Sequence, residues 1–192
     1  MRHKMKFLSI WTAVVLTATS ALASASTFQN PEIDELYTQE NQPELYCLAQ
    51  NVYFEAKSEP LAGQYAVADV VLNRVQDTRY PNTICEVVRE GPIKESWKTK
   101  QDPNLSDDER IYYPKKNRCQ FSWYCDGKPD DPVGENWEIS LNIAIDMLEE
   151  RRNNLGVDIT DGALYYHANY VKPYWAKTMH VVARIGDHIF YR

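Results

Sequence analysis

Between Leu45 and Ala56 the chain is apolar on almost every side of a helical projection. Leu45, Leu48, Val52 and Ala56 fall on one face, and Tyr46, Cys47, Tyr53 and Phe54 cover most of the rest. A helix of that kind is predicted to run through the middle of a domain. Its polar residues, Glu44, Asn51 and Glu55, share one narrow stripe, with Asn51 and Glu55 one turn apart. Lys57-Ser58-Glu59-Pro60 breaks the pattern: Ser58 or Glu59 can cap, and Pro60 suits the first turn of a second helix. That helix is predicted from Leu61 to about Val75, with Leu61, Tyr65, Ala68, Leu72 and Val75 as its buried face and Gly63 allowing close packing. A short helical element is predicted over Ile84–Val88. A third long helix is predicted within Pro132–Gly156, burying Trp137, Leu141, Ala144, Ile145 and Leu148, with Arg151 and Arg152 at its C-terminal end and Gly156 as its stop. Ala163–His167 reads as extended. Val181–Ile185 and His188–Tyr191 flank Gly186-Asp187, a hairpin signal.

Three stretches stand outside this pattern. Residues 1–25 join a basic start (Arg2, Lys4, Lys6) to an apolar run from Phe7 to Leu22 and small-residue cleavage sites at Ala21-Leu22-Ala23 and Ala23-Ser24-Ala25, the pattern of a secretory signal peptide. The apolar run is short for a membrane span and is broken by serines and threonines, so cleavage is expected rather than stable membrane insertion. Residues 26–43 are polar and read as a flexible leader, which leaves 44–192 as the folded domain. Within that domain residues 94–117 form a charged, weakly periodic run, read as a solvated insertion over one rim of a site. The loop Cys119-Gln120-Phe121-Ser122-Trp123-Tyr124-Cys125 that follows is dense and aromatic; its rings can stack on sugars or plug the core.

The chain's 192 residues suit one domain with a real core. Loss of residues 1–25 removes three basic and no acidic residues and takes the formal charge from −6 to −9. An acidic exported domain is a poor partner for nucleic acid. Four cysteines remain, Cys47, Cys85, Cys119 and Cys125, an even number that in an exported chain reads as two disulfides. A loop closed by Cys119 and Cys125 would leave Cys47 with Cys85, but three pairings are open to the sequence. No C-x-x-C or H-E-x-x-H spacing is present, so neither a metal nor another cofactor is expected.

Glu55 is the candidate for chemistry. It sits at the edge of the Leu45/Leu48/Val52 face, where partial desolvation disfavours the carboxylate and raises its pKa. A carboxyl of that kind suits a general acid. The plain alternative is a solvated glutamate paired with Arg74 or Lys57.

Several ordered blocks bear on that choice. Tyr53-Phe54-Glu55-Ala56-x-x-Glu59-Pro60-x-x-Gly63-Gln64, Ala66-Val67-Ala68-x-Val70-Val71-Leu72-Asn73-Arg74-Val75 and Tyr80-Pro81-Asn82-Thr83-Ile84 come first. Cys119-Gln120-Phe121-Ser122-Trp123-x-Cys125-Asp126-Gly127, Gly162-Ala163-Leu164-Tyr165-Tyr166-His167 and Ile185-Gly186-x-His188-Ile189-Phe190-Tyr191 follow. Together they resemble the SleB/CwlJ-type cell wall hydrolases over about residues 45–191. The resemblance implies an α+β, mainly helical domain, similar to lysozyme and lytic transglycosylases, with a small antiparallel β element. It implies peptidoglycan glycan strands as the substrate and places the essential glutamate on Glu55. Gln120, Ser122, Trp123, Tyr165 and Tyr166 map to groove-lining positions, with His167 following in register. The charged run at 94–117 looks longer than the family's usual link. No wall-binding repeat accompanies the domain, so it is expected to find the wall alone or through a localising or regulatory protein partner.

With one conspicuous acid, the expected reaction is lytic transglycosylation: Glu55 protonates the oxygen leaving C1 of N-acetylmuramic acid, then takes the proton of the sugar's own C6 hydroxyl. Hydrolysis of the same bond would need a second carboxylate, for which Glu59, Asp69 and Asp126 are the candidates. A metal-dependent amidase using His167, His180 and His188, and a non-catalytic wall-binding module, are the competing classes. Export to the periplasm or the cell wall space is expected from the signal peptide.

Overall fold

Helix α1 (Pro43–Ala56) is enclosed by the rest of the molecule, as its all-round apolar sequence predicts. The computed structural model describes residues 37–153 and 158–192. The expected signal peptide, the expected leader as far as residue 36 and the stop expected at Gly156 lie outside the described residues. Pro43 and Glu44 open α1, where a missing N–H costs nothing and a carboxylate meets the positive end of the helix. Glu44 also accepts the backbone N–H of Ile84, tying the start of α1 to the short helix α3 (Ile84–Val88). The Cys47–Cys85 disulfide joins the same two helices, with Cα atoms 5.2 Å apart.

Helix α2 (Leu61–Gln76) packs against α1. It buries two faces rather than the single predicted one. Ala68, Val71 and Leu72 join the main core around α1, while Ala66 and Val70 meet Ala163 and Phe190 beneath a sheet. Because α2 lies between a helical layer and a sheet, its buried arc is wider than one stripe, and Leu61 is left exposed in its first turn. Pro60 stands just before the first helical residue, and no side chain caps α2; Glu59 is directed elsewhere.

The third long helix is α5 (Glu135–Arg152), which closes the core through Trp137, Leu141 and Ala144. Ile143 and Met147 are buried with them, whereas the predicted Ile145 and Leu148 sit only partly buried at the edge. Arg151 and Arg152 occupy the last turn, favourably placed for the helix dipole.

Strands β3 (Tyr165–Ala168), β4 (Val181–Ile185) and β5 (His188–Tyr191) form an antiparallel sheet in the order β3-β5-β4. The predicted hairpin turns at Gly186-Asp187 with Ile185 opposite His188, and Gly186 adopts a φ of +57°. The charged run is an ordered excursion. Strands β1 (Ile93–Glu95) and β2 (Tyr112–Pro114) pair antiparallel, with helix α4 (Trp97–Lys100) between them and Arg110 bridged to Glu95 at 2.7 Å. Its base abuts the aromatic loop, where Gln120 N–H donates to the Glu90 carbonyl. The second disulfide joins Cys119 to Cys125, Cα atoms 6.1 Å apart. Among the described residues no helix is long and apolar enough to cross a membrane.

Candidate active site

Glu55 sits in the last turn of α1, where the buried helix emerges at the surface. Its carboxyl is half-buried, and that desolvation pushes its pKa above the usual glutamate value. Two opposing influences are weaker: a hydrogen bond from the Tyr166 hydroxyl to Oε2, 3.0 Å, and the positive charge of Arg74. Burial is thus the physical cause of the raised pKa expected at the border of the apolar face.

Glu55 lies where two hollows meet. One, about 660 Å³, has Glu55 and Arg74 in its wall together with Gln120, Tyr165, Tyr166 and His188. The segment after β3 closes this side with Tyr170, Tyr174 and Trp175; Tyr170 and Tyr174 are 81% and 87% exposed, open platforms for a flat apolar ring face. The other hollow, about 430 Å³, runs from Glu55 past Phe54, Ser122 and Trp123 to Asp126, Lys128 and Asp130. Glu55 is common to both sides of this groove: the first is mostly aromatic, and the second sets Phe54 and Trp123 beside Asp126, Lys128 and Asp130.

Arg74 is buried behind the aromatic half. Its Nε–H donates to the Leu164 carbonyl at 2.8 Å, and its guanidinium lies 5.2 Å from the ring centres of Tyr80 and Phe121. It forms no ion pair with Glu55 among the described residues; its charge acts on the carboxyl across the cleft wall. Lys57, the other expected partner, lies instead over the Tyr53 ring.

The aromatic loop alternates inward and outward. Phe121, Trp123 and Cys125 are buried, and Ser122 is exposed. Trp123 stacks on Phe54 with ring centres 4.8 Å apart, and its indole N–H donates to Asn51 Oδ1 at 3.1 Å. It is chiefly a core plug with one edge in the groove, and Asn51 serves it rather than Glu55. His167 lines the aromatic half, yet both its ring nitrogens are engaged within the protein, by the Ala168 carbonyl at 2.8 Å and the Tyr191 hydroxyl at 2.7 Å.

Two of the candidate second carboxylates, Asp69 and Glu59, line neither hollow. Asp69 is wholly buried and bound to Arg151 at 3.1 Å and to the Thr160 hydroxyl at 2.6 Å, pinning the end of α5 to the segment before β3. Glu59 accepts the backbone N–H of Asp187 at 2.8 Å. Only Asp126 of the three faces the groove, where the Lys128 backbone N–H, donating at 2.7 Å, and then the Lys128 ammonium hold its carboxyl below the usual aspartate value. Among the described residues no group of three or more His, Cys, Asp and Glu side chains could hold a metal ion.

The sequence marked His188 only as a possible metal ligand, and it did not reveal the Tyr170/Tyr174/Trp175 wall. His188 had a usable signal, since it shares a strand face with the buried Phe190. Residues 169–180 carry no periodicity that would have located the wall.

A mainly helical domain with a small antiparallel sheet and a half-buried glutamate ending its central helix is a lysozyme-like domain. The chain belongs to the Cell Wall Hydrolase family, whose profile matches residues 58–191 and so begins just past Glu55. It is 44% identical over 151 residues to a spore cortex-lytic enzyme of Bacillus cereus, an alignment covering 78% of this chain and 44% of that protein. A spore cortex-lytic enzyme of Oceanobacillus iheyensis is 42% identical over 155 residues, covering 78% of this chain and 42% of the relative. The chain thus spans less than half the length of these relatives. Among solved structures it resembles the catalytic domain of the Bacillus cereus SleB protein, with a TM-score of 0.53 and 27% identity, covering 81% of this chain and 92% of that one. The catalytic domain of the germination-specific lytic transglycosylase SleB from Bacillus anthracis gives the same TM-score and identity.

Proposed function

We propose that the chain cleaves the glycan strands of peptidoglycan as a lytic transglycosylase, with Glu55 as general acid and base. The observation that carries this reading is the position of Glu55: a carboxyl inclined by burial to hold its proton, at the point where the two halves of one groove meet. A glycan lying through both halves brings a glycosidic oxygen to that carboxyl. Tyr166 occupies Oε2, which leaves Oε1 for the substrate. Proton transfer from Oε1 releases the leaving sugar and turns Glu55 into a carboxylate, which the Tyr166 hydroxyl and the charge of Arg74 then stabilise. That carboxylate takes the proton of the C6 hydroxyl as it attacks C1, which restores the acid and leaves a 1,6-anhydro end. The family membership, and the likeness to the catalytic domain of the lytic transglycosylase from Bacillus anthracis, favour this route.

Hydrolysis of the same bond is the second reading. Asp126 lines the groove in a form held ionised, as a second carboxylate must be. Mass spectrometry of peptidoglycan digested by the wild type and by Glu55→Gln separates the two. Anhydro-muropeptides from the wild type alone support transglycosylation, and reducing muramic ends support hydrolysis. Free stem peptides would replace both readings with an amidase. The site of action would be the compartment that holds the wall, reached by way of the signal peptide at residues 1–25.

A further inference from the structure

Of the two histidines that line the cleft, His167 has both ring nitrogens hydrogen-bonded within the protein, and His188 has neither among the described residues. It opens β5, is 9% exposed, and contributes to the wall of the aromatic half beside Glu55. Its Nδ1 is buried without a hydrogen-bond partner among the described residues, with Glu59 Oε2 3.8 Å away. That carboxylate is firmly held. It accepts the Asp187 N–H at 2.8 Å, and a Cβ at position 186 would overlap it, so glycine there is what lets Glu59 enter the β4–β5 turn. The His188 ring meets Tyr166 edge-on at 5.0 Å, and Tyr166 donates to Glu55. Glu55, Tyr166, His188 and Glu59 thus form one contiguous chain of contacts under the cleft.

A carboxylate oxygen only accepts, so Glu59, 3.8 Å from Nδ1, favours the tautomer with the proton on Nδ1. Burial lowers the His188 pKa, against the opposing charges of Glu59 and Asp187, and so favours the neutral ring. The other nitrogen, Nε2, is then a bare lone pair. It can accept from a hydroxyl or an amide N–H but cannot donate to a carbonyl. Sugar rings lying against the tyrosines of this half present hydroxyls at their edges.

We propose that His188 Nε2 accepts a hydrogen bond from a hydroxyl of the sugar bound in the aromatic half, and that Glu59 is the positioning residue that fixes its tautomer. The proposal rests on the glycan-strand reading and adds to it a second substrate-contacting group beside the acid. It also separates the two histidines of the cleft: His167 is spent on Ala168 and Tyr191, whereas His188 lines the cleft with no hydrogen bond of its own among the described residues.

The test uses the ring nitrogens of His188 in the exported protein, followed by two-bond proton–nitrogen NMR. The free protein should show the Nδ1–H form. Addition of β-1,4-linked N-acetylglucosamine tetramer to the non-cleaving Glu55→Gln protein should move the Nε2 resonance and leave Nδ1 nearly still. In the Glu55→Gln background His188→Gln should weaken tetramer binding about tenfold. Glu59→Gln should lose less while populating the Nε2–H form. The proposal is overturned by an Nε2–H form in the free wild type, by an Nε2 resonance unmoved by the tetramer, or by unchanged affinity in a folded His188→Gln. Its failure is distinct from that of the glycan-cleavage reading, which falls only if wild-type protein releases no glycan fragments from peptidoglycan.

Discussion

The Tyr166 hydroxyl donates to Glu55 Oε2 at 3.0 Å and so couples the end of the central helix to the first strand of the sheet, 111 residues further along the chain. The bond favours the carboxylate, against a burial that favours the acid, and the burial is the stronger of the two. On the proposed mechanism, these opposing influences serve the two states Glu55 would pass through, proton donor before bond cleavage and proton acceptor after it.

Replacing Glu55 by Gln should abolish glycan release, with a loss of about 10²–10⁴-fold or more, as expected for a general acid. Mass spectrometry of digested peptidoglycan measures it. Stability should move the other way. A folded-state pKa above the unfolded value means that the contribution of Glu55 is complete at acid pH and is lost as pH rises through the folded value. At neutral pH the Gln variant should therefore melt above the wild type, and the gap should vanish below the unperturbed glutamate pKa of about 4.3. A constant gap across pH would contradict the burial of this carboxyl.

Tyr166→Phe removes the bond that favours the carboxylate and leaves the desolvation in place. The pKa of Glu55 should rise further. The alkaline limb of the pH profile of kcat/KM, where the acid is lost, should move to higher pH. The rate at the optimum should fall as well, by about tenfold, the effect of one charge-assisted hydrogen bond on the conjugate base. A limb that stays in place would mean that Tyr166 does not set the acidity of Glu55.

The two disulfides should separate stability from activity. The Cys47–Cys85 link spans 38 residues between α1 and α3 and by the chain-entropy relation contributes about 4 kcal/mol. Cys119–Cys125 spans 6 residues and contributes about 2 kcal/mol on the same scale. Serine pairs at 47/85 should thus cause the larger drop in Tm. Serine pairs at 119/125 should cause the larger loss of activity for a given change in Tm, because that loop carries Gln120 and Ser122 into the groove.

Gly186→Ala should cost about 1–3 kcal/mol, from a left-handed backbone position and from overlap with Glu59 Oε2. Glu59→Ala removes the overlapping oxygen, so the double variant should be more stable than the sum of the two single losses predicts. Thermal unfolding of the four proteins completes the cycle; strict additivity would mean that Glu59 does not occupy the turn.

The repeating apolar pattern alone was enough to mark α1 as a central helix, to find the hairpin around Gly186-Asp187 and to place Glu55 where burial raises its pKa. These are local matters: helical spacing and turn chemistry act over a few residues, and a carboxyl at the border of an apolar face is partly desolvated whatever packs on it. The tertiary structure decided which distant groups meet. It sent Asp69 to Arg151 and Thr160, Glu59 to a turn 128 residues away, and Trp123 into the core, and it brought Tyr166, Arg74 and His188 to the cleft of Glu55. It also buried a second face of α2, which no single stripe could show. Periodicity tells which side of an element faces inward; it carries no record of which element will be packed there, because that choice is made by the fit of whole surfaces across the chain.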